Sequence, residues 1–346
     1  MPAKRRRART GPPDRRDAVV DVHSHVFPTP FLQALKREGS AHGVRVEARD
    51  GEWLIWNSPH QSARIGPVFY DVPARLGALD RWGISLQALS LSPPMLYWAP
   101  PALGRDLAQI FNDEIAAICR AHPLRFVPLA TLPLQDVDAA VTEAERAARA
   151  GCRGVYVGTN VRGRYLDAPE FAPLFELCER LGLPVFTHPL NNAGEDRMAQ
   201  WHLGNSVGNP GETALAAARL IMAGTLDRFP RLRVVLAHGG GSLPFIVARL
   251  DHAYAVRREA RTAIPRRPSA YLKRFYFDTI THGDTALGFL IRSAGPARVM
   301  LGTDHPYDMA DAFPGRRLRH LGLSTDAERA ICSRNARRLL GLSMGA

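Results

Sequence analysis

The feature that most constrains this chain is the alternation of short apolar segments with longer helical patterns from Ala18 onward. Periodic segments long enough to be crossover helices lie between the apolar ones, as at residues 136–150, 169–181, 210–229 and 243–260. The apolar, β-branched segments cover residues 19–23, 86–91, 126–129, 154–158, 184–188, 234–238, 275–278 and 298–303. Strands that alternate with helices form parallel sheets, and eight such units close a barrel. The sequence therefore predicts an α/β fold, a (β/α)8 barrel of the TIM type.

One stretch interrupts this alternation. Between His42 and Asn57 the sequence VRVEARDGEWLIW has the pattern of two strands joined by Asp50 and Gly51, which is a strong hairpin signal. We predict a small antiparallel β insertion after the first strand, from residue 31 to about residue 70, that covers the barrel mouth. The last forty residues, which contain SRNARRLLGL, predict a terminal helix.

The charge is concentrated at one end of the chain. The net charge is +12, and residues 1–16 hold seven Lys or Arg and one Asp, so this tail carries half of the excess. A Pro-containing run of like charge is typical of a disordered arm, and we predict a disordered tail at 1–16 followed by a single barrel domain at 17–346. No nucleic-acid motif accompanies the tail, and we expect no nucleic-acid partner.

Apolar runs and cysteines limit the environment of the protein. No run of 18 apolar residues occurs and the N-terminal segment lacks the apolar core of a secretory signal, so we expect a cytoplasmic protein without a membrane span. The four cysteines form no C-x-x-C pair, which argues against a disulfide framework and against a thiolate zinc site.

Side chains that bind metals follow four of the apolar segments. His23 and His25 stand two apart on the first strand, so their side chains share a face. His188 ends PVFTH, His238 ends VVLAH and Asp304 follows VMLGT. The carboxyl ends of barrel strands form the rim where active sites are assembled. One metal ion explains all of these residues together, whereas separate core histidines would each need a buried partner.

The ligand types indicate the ion and its chemistry. Three imidazoles and one carboxylate suit Zn²⁺, although another divalent ion such as Mn²⁺ fits as well, and no organic cofactor is expected. Water bound to such an ion has its pKa lowered from ~15.7 to about 7, so hydroxide is available near neutrality. One imidazole should stay off the metal to move protons, and His238 is the best candidate because three glycines follow it. The alternative, that His238 is a fourth imidazole ligand, stays open.

Seven segments resemble the amidohydrolase-related metal-dependent decarboxylases, and most closely the α-amino-β-carboxymuconate-ε-semialdehyde decarboxylase (picolinate carboxylase) family. They are DVHSHVFP, QALSLSPPMLYWA, RFVPLATLPLQ, GCRGVYVGTNV, FTHP, LIMAGTLDRFPRLRVVLAHGGGSLPF and LGTDHPYD. The resemblance covers nearly the whole chain after the tail. It implies that zinc is bound by His23, His25, His188 and Asp304. It also implies a homodimer with His238 as the acid and base, and we assign Asp304 a catalytic role beside it.

The same resemblance bears on the substrate. It implies that an arginine after the glycine loop reaches across the dimer to a substrate carboxylate, and Arg249 matches that position. A second arginine that the family places after the hairpin turn is replaced here by Ile55, and the residues after FTHP also differ. We expect the altered pocket to be lined by His202, Asn205 and Trp98. Arg45, Arg49 or Arg64 could substitute for the missing arginine from a neighbouring position, and the alternative for each is an ordinary surface arginine.

These features favour one function over two alternatives. The leading hypothesis is a cofactor-free, metal-dependent decarboxylase of a small unsaturated or aromatic carboxylic acid, with metal-activated water or substrate and His238 as acid/base. A hydrolase or hydratase of the same barrel superfamily would use the same ligands, and this alternative stays open. A metal-dependent binding or scaffold protein is the third hypothesis, and the intact proton-transfer candidate speaks against it.

Overall fold

The apolar segments form parallel strands in the computed structural model, which describes residues 18–58, 61–312 and 314–343. The predicted basic tail at 1–16 lies outside the described residues. The strands are β1 (Val20–Asp21), β2 (Arg45–Arg49), β3 (Glu52–Ser58), β4 (Gln61–Ile65), β5 (Leu86–Leu89), β6 (Phe126–Pro128), β7 (Ala130–Thr131), β8 (Val155–Gly158), β9 (Asn160–Val161), β10 (Arg164–Tyr165), β11 (Val185–His188), β12 (Val234–Leu236), β13 (Phe275–Asp278) and β14 (Val299–Met300).

Hydrogen bonds between neighbouring strands close these segments into a barrel. β1 pairs in parallel with β5 and β5 with β6, while β7, β8, β11, β12, β13 and β14 form a continuous parallel series. β6 and β7 are two parts of one barrel strand that is interrupted only at Leu129. The Val22 backbone N–H donates to Leu301 O (3.0 Å), which joins the first barrel strand to the last. The predicted eight-stranded α/β barrel is therefore confirmed.

Helices connect the strands and cover the outside of the barrel. They are α1 (Thr29–Glu38), α2 (Pro67–Tyr70), α3 (Val72–Trp82), α4 (Pro101–Ala121), α5 (Val137–Arg149), α6 (Ala172–Leu181), α7 (Asn209–Met222), α8 (Thr225–Arg228), α9 (Leu243–Val256), α10 (Asp284–Ala294), α11 (Pro314–His320), α12 (Thr325–Arg329) and α13 (Asn335–Leu339). None of the helices among the described residues combines the length and the hydropathy that crossing a membrane requires.

Two predicted helices are interrupted. The segment 210–229 is split into α7 and α8, because Gly224 adopts a left-handed conformation (φ 72°) and ends the first helix. The predicted terminal helix runs without a gap from Thr325 to Leu339 as α12 and α13, with a π-helical turn at residues 330–334 between them, and α11 precedes it. The prediction of a terminal helix is therefore confirmed, with the π-helical turn as the interruption.

The insertion after β1 is an antiparallel sheet, as predicted, but it has three strands instead of two. β2 pairs with β3 across the turn at Asp50 (φ 52°) and Gly51 (φ 77°), the left-handed pair that a tight hairpin requires. β4 pairs with β3 on its other edge. Val46, Ile55 and Ile65 are buried in a hydrophobic cluster that the insertion shares with α1 and α4. The position of the missing arginine is thus filled by a core side chain.

The cysteines are all unpaired, and they lie within the described residues. Cys119, Cys152 and Cys178 are buried and Cys332 is partly buried. Burial raises the pKa of the Cys152 and Cys178 thiols to about 12, and that of Cys332 to about 11. The expectation that the cysteines form no disulfide framework is therefore confirmed, and three of the four are core residues.

Candidate metal centre

The five polar residues predicted from the strand ends meet at one rim of the barrel. His23 Nε2 lies 3.2 Å from His25 Nε2, and His25 Nε2 lies 3.0 Å from Asp304 Oδ1. Ligand atoms of His23, His188, His238 and Asp304 all lie within 4.8 Å of one another. The barrel brings them together because each follows the carboxyl end of a parallel strand. His23 therefore shares the centre with His25 on its own strand and with residues more than 160 positions away.

The hydrogen bonds of two histidines leave their inner nitrogens free to bind a cation. His23 Nδ1 lies 2.7 Å from Asp278 Oδ2, and His188 Nδ1 lies 3.0 Å from the carbonyl oxygen of Pro189. Both Nδ1 atoms must donate to these acceptors, so the Nε2 of each neutral ring carries a lone pair. These lone pairs and the Asp304 carboxylate face the same buried point. A divalent cation satisfies such a set of acceptors, and the residues fit a metal ion.

The electrostatics of the centre match that assignment. Burial, together with the neighbouring histidines, lowers the pKa of His188 well below its usual value, and burial lowers the pKa of His25 to about 4. Burial tends to raise the pKa of Asp304, but hydrogen bonds and charges from the surrounding histidines outweigh it and hold that pKa well below its usual range. Near neutral pH His25 and His188 are therefore neutral imidazoles and Asp304 is an ionised carboxylate, the states in which these groups bind metals.

His238 differs from the other histidines in its surroundings. Its side chain is 13% exposed, whereas those of His23 and His25 are 4% and 0% exposed. Its Nε2 lies 3.6 Å from Asp304 Oδ2, a looser contact than the one His25 makes to the other carboxylate oxygen. Its backbone is left-handed (φ 53°), and Gly239, Gly240 and Gly241 follow with positive φ. The ring thus stands at the edge of the centre, next to the open side of the rim.

Asp278 is a functional residue that the sequence analysis missed. Its carboxylate accepts hydrogen bonds from His23 Nδ1 (2.7 Å), from the backbone N–H of His238 (2.9 Å) and Gly239 (2.7 Å), and from that of Ile280 (3.0 Å). It therefore fixes the ring of one metal-site histidine and the backbone of another. The signal was present in the sequence, because Asp278 ends an apolar barrel strand in the same way as His188 does.

A second buried network lies below the first strand. Asp21 accepts hydrogen bonds from Thr303 Oγ1 (2.6 Å) and Gln87 Nε2 (2.7 Å), and burial raises its pKa to about 6. Arg75, from α3, donates to Gln87 Oε1 (2.5 Å) and to the backbone carbonyl of His25. The guanidinium and the carboxylate together hold the segment after β1 that carries His23 and His25. No sequence spacing indicated this arrangement, since an arginine within an amphipathic helix is usually on the surface.

Tyr156, on β8, also lies at the centre and was not predicted. Its hydroxyl oxygen lies 3.2 Å from His23 Nε2, and its side chain is buried. Burial raises the pKa of this phenol well above its usual range. By contrast His305, next to Asp304, turns away from the centre and packs against Trp82, with ring centroids 4.7 Å apart.

The predicted substrate-binding residues are distributed over three parts of the rim and its surroundings. Trp98 is half-buried beside the insertion, with its ring 6.5 Å from that of His42. His202 is exposed with a left-handed backbone (φ 59°), and Asn205 is half-buried in the turn of π-helix that precedes α7. Arg249 is exposed on α9. Among the described residues, no hydrogen bond to the five metal-site side chains is made by these four.

The arginines proposed as substitutes on the insertion are surface residues. Arg45 lies over the ring of Trp56, with its guanidinium carbon 4.2 Å from the ring centroid. Arg64 lies 3.1 Å from Glu52, and Arg49 is 3.5 Å from Asp50. Their side chains are 62%, 72% and 80% exposed for Arg45, Arg64 and Arg49. Each therefore has a local partner away from the metal centre.

Comparison with known proteins adds independent information. Residues 20–342 match a protein-family model described as amidohydrolase. The 2-amino-3-carboxymuconate-6-semialdehyde decarboxylase of Dictyostelium discoideum is 34% identical over 94% of this chain and 92% of its own length. A gamma-resorcylate decarboxylase of Rhizobium sp. is 33% identical over 68% of this chain and 77% of its own. The structure of 5-carboxyvanillate decarboxylase from Sphingomonas paucimobilis matches with a TM-score of 0.81 at 27% identity, covering 94% of this chain and 99% of that one. The resemblance expected from the seven sequence segments is confirmed.

Proposed function

The chain belongs to the amidohydrolase family, and within that family we propose that it removes CO₂ from a small aromatic or unsaturated carboxylic acid at the metal centre on the barrel rim. The relatives described above are all decarboxylases. The chain is therefore a carbon–carbon lyase that depends on a metal, and the hydrolase alternative is not favoured. Resorcylate, carboxyvanillate and carboxymuconate semialdehyde, named in those relatives, are the basis for proposing an aromatic or unsaturated acid.

The observation that carries this proposal is the convergence of lone pairs at the rim. We assign His23, His25, His188 and Asp304 as metal ligands, because His25 lies closer to Asp304 than His238 does and is completely buried. Zn²⁺ is the ion we propose, with Mn²⁺ as the alternative. When bound, such an ion polarises a coordinated oxygen and stabilises negative charge that develops beside it. Metal content by mass spectrometry of the purified protein distinguishes the two ions.

His238 is proposed to handle the proton. In decarboxylation the bond to the carboxyl carbon breaks, CO₂ leaves, and the electron pair remains on the carbon that carried the carboxylate. The protonated imidazole then gives its proton to that carbon. Asp304 Oδ2, 3.6 Å from His238 Nε2, stabilises the charged ring before this transfer. The greater exposure of His238 supports this role, since a proton donor has to reach the substrate from the open side.

A homodimer is part of the proposal. Nine of the fourteen residues of α9 are apolar, if proline and tyrosine are left out of that count, yet of its residues only Leu243, Pro244 and Val247 are buried. Phe245 is 79% exposed, and its ring lies 6.4 Å from that of Phe289 on α10. A helix of this composition is normally covered. We propose that a second copy covers it and that Arg249, one turn after Phe245, reaches a substrate carboxylate of the partner site through its bidentate fork.

The substrate pocket, the extent of the catalytic domain and the location of the protein are also part of the proposal. His202, Asn205 and Trp98 are assigned to the substrate pocket, and residues 17–346 to a single catalytic domain. The cytoplasmic location predicted from the sequence is kept as an expectation as well.

The deciding experiment supplies the metal-loaded protein with a panel of acids and measures CO₂. Hydroxybenzoic acids, carboxyvanillate-like acids and ring-cleavage semialdehydes are the candidates, and lactones and amides test the hydrolase alternative. Release of CO₂ that requires both the metal and His238 supports the proposal. Hydrolysis of a lactone or amide without CO₂ from any acid would overturn it.

A further inference from the structure

Glu212 is a buried carboxylate in the first turn of α7 that the proposed chemistry does not use, and it is only 2% exposed. Its Oε1 atom accepts hydrogen bonds from Thr159 Oγ1 (3.1 Å) and Asn160 Nδ2 (2.9 Å). Its Oε2 atom accepts from the Tyr165 hydroxyl (3.1 Å) and from the Ala193 backbone N–H (3.1 Å). These four donors offset the cost of burying the charge. They also occupy the lone-pair sites of both oxygens, so this carboxylate is not free to bind a metal ion or a substrate.

One of these donors links Glu212 to a proposed metal ligand. The Thr159 hydroxyl donates to Glu212 and accepts from the Leu190 backbone N–H (3.2 Å). The Thr159 backbone N–H donates to the carbonyl oxygen of His188 (2.9 Å). Asn160 Nδ2, which also donates to Glu212, makes a second bond to the carbonyl oxygen of Leu190 (2.5 Å). This network therefore fixes the chain where it leaves β11, the strand that ends at His188.

The chain beyond this point is the β11–α7 loop, residues 189–208. Its backbone is left-handed at Asn191 (φ 50°), Trp201 (φ 55°) and His202 (φ 59°), a conformation that costs free energy in residues other than glycine. Most residues between 191 and 202 are exposed, so the loop has few apolar contacts to hold it. Asn192 Nδ2 ties the loop to its own far end at Asn209 Oδ1 (2.8 Å). The hydrogen bonds at its start therefore determine where the loop lies on the barrel.

We propose that Glu212 is a positioning residue of the substrate pocket. Its bond to Ala193 and the network at Leu190 fix the start of the β11–α7 loop relative to the metal centre. The side chains of His202 and Asn205, further along the same loop, are held in place as a result. The inference rests on the proposed function, which assigns those two side chains to the pocket. In this role Glu212 acts on substrate binding through the loop and leaves the metal content unchanged.

Glu212→Gln tests the inference with almost no change in size. The amide presents an NH₂ group to two of the four donors, so two hydrogen bonds are lost whichever way it is oriented. With an acid that the wild type decarboxylates, kcat/KM should fall by roughly 10- to 100-fold, mostly through a higher KM, because a displaced loop weakens substrate binding. Tyr165→Phe removes one donor only and should raise KM by less, which keeps the test available if Glu212→Gln does not fold.

Proteolysis reports on the loop independently of activity. Arg197 is exposed in the β11–α7 loop, and trypsin should cleave after it faster in Glu212→Gln than in the wild type, because a loop that has lost its anchor opens more often. Glu143→Gln is the matched control. Glu143 is equally buried, but its partners are Asn112 (2.6 Å) and Arg146 (2.7 Å), outside the loop. Its KM and its loop cleavage should match those of the wild type.

The possible results separate this inference from the proposed function. If the wild type releases CO₂ and both Glu212→Gln and Tyr165→Phe keep its KM, Glu212 does not position the pocket and the decarboxylase proposal stands. A loss of metal in Glu212→Gln that matches its loss of activity would also overturn the inference, because the effect would then come from His188. If the wild type releases no CO₂ from any acid, the proposed function is overturned and the pocket role of Glu212 with it.

Discussion

At the scale of single residues, Asp278 connects the metal site with the loop that carries His238. One carboxylate holds the His23 ring and the backbone of two loop residues. Asp278→Asn keeps the shape but replaces one acceptor oxygen by an amide that donates, so one of these bonds is lost. We expect a metal affinity roughly 10- to 100-fold weaker, the usual effect of a lost partner of a ligating histidine. A chelator competition measures it.

The control for this change is Asp136→Asn. Asp136 caps α5 by accepting from the Ala139 backbone N–H (3.0 Å), and asparagine is equally good at that position. Its metal affinity should match that of the wild type. An Asp278→Asn variant that binds metal as tightly as the control would show that Asp278 does not position His23.

His25 and His238 are expected to respond differently to removal. His25→Ala should lose most of the metal, because it takes a buried ligand from the centre. His238→Ala should keep the metal and lower the rate by roughly 10²- to 10⁴-fold, the range for a positioned acid or base. Metal content and turnover, measured on the same preparations, decide between the roles. If His238→Ala loses the metal and His25→Ala keeps it, His238 is the metal ligand and His25 is the acid or base.

At the scale of elements, the loop between β12 and α9 depends on its glycines. Gly241 has φ 60° and ψ −133°, and a Cβ there would collide with the backbone of Pro210. Gly241→Ala should therefore destabilise the protein by at least about 1–2 kcal/mol, the usual cost of a left-handed conformation. Displacement of His238 should also lower activity. Urea unfolding and turnover measure the two effects.

Gly211 provides the comparison on a neighbouring helix. It lies in α7, where an added Cβ has no atom within 4 Å, so Gly211→Ala should leave stability unchanged or slightly improved. If Gly241→Ala and Gly211→Ala are equally stable, the loop between β12 and α9 does not depend on a glycine at position 241.

The elements also show what the sequence could and could not predict. The barrel strands were predictable because each is an apolar run followed by a segment with the periodicity of a helix. One of these strands ends at His188. β4 was missed because its sequence, QSARI, contains only two apolar residues, Ala63 and Ile65, too few for an alternating pattern. The contact of Arg75 with β1 could not be predicted either, since only the folded packing of α3 brings that guanidinium beneath His25.

At the scale of the whole molecule, the exposed apolar helix α9 predicts a dimer. Phe245→Asp should give a monomer in light scattering, because it places a charge in the proposed interface. Its activity should fall as well, since each site would lose the Arg249 of the other copy. Asp251→Asn, on the same helix, is a milder control that should remain dimeric.

Mixing two inactive variants tests the shared site directly. His238→Ala and Arg249→Ala homodimers should each be nearly inactive, and subunit exchange between them should restore activity in the mixed dimers. Subunit exchange is verified by mass spectrometry. If the exchanged mixture gains no activity, Arg249 does not act in the site of the partner subunit.

Removal of the metal should lower the stability of the entire barrel. A ligand that binds only the folded state adds about 2.7 kcal/mol at 100 times its dissociation constant. The apo protein, prepared with a chelator, should therefore melt several degrees lower than the loaded protein, and added Zn²⁺ should restore the transition. A melting temperature independent of metal would contradict a centre made of buried ligands.

Closure of the barrel between Val22 and Leu301 brings ligands from the first and the last barrel strand to one centre, and this has a consequence for synthesis. Translation adds about 5–20 residues per second, so His25 leaves the ribosome roughly 15 to 60 s before Asp304. During this interval the first barrel strand lacks its hydrogen-bonded neighbour, the last strand. His23 and His25 likewise lack the carboxylate of Asp304. The complete ligand set can therefore hold an ion only after nearly the whole chain has emerged, and metal loading follows translation.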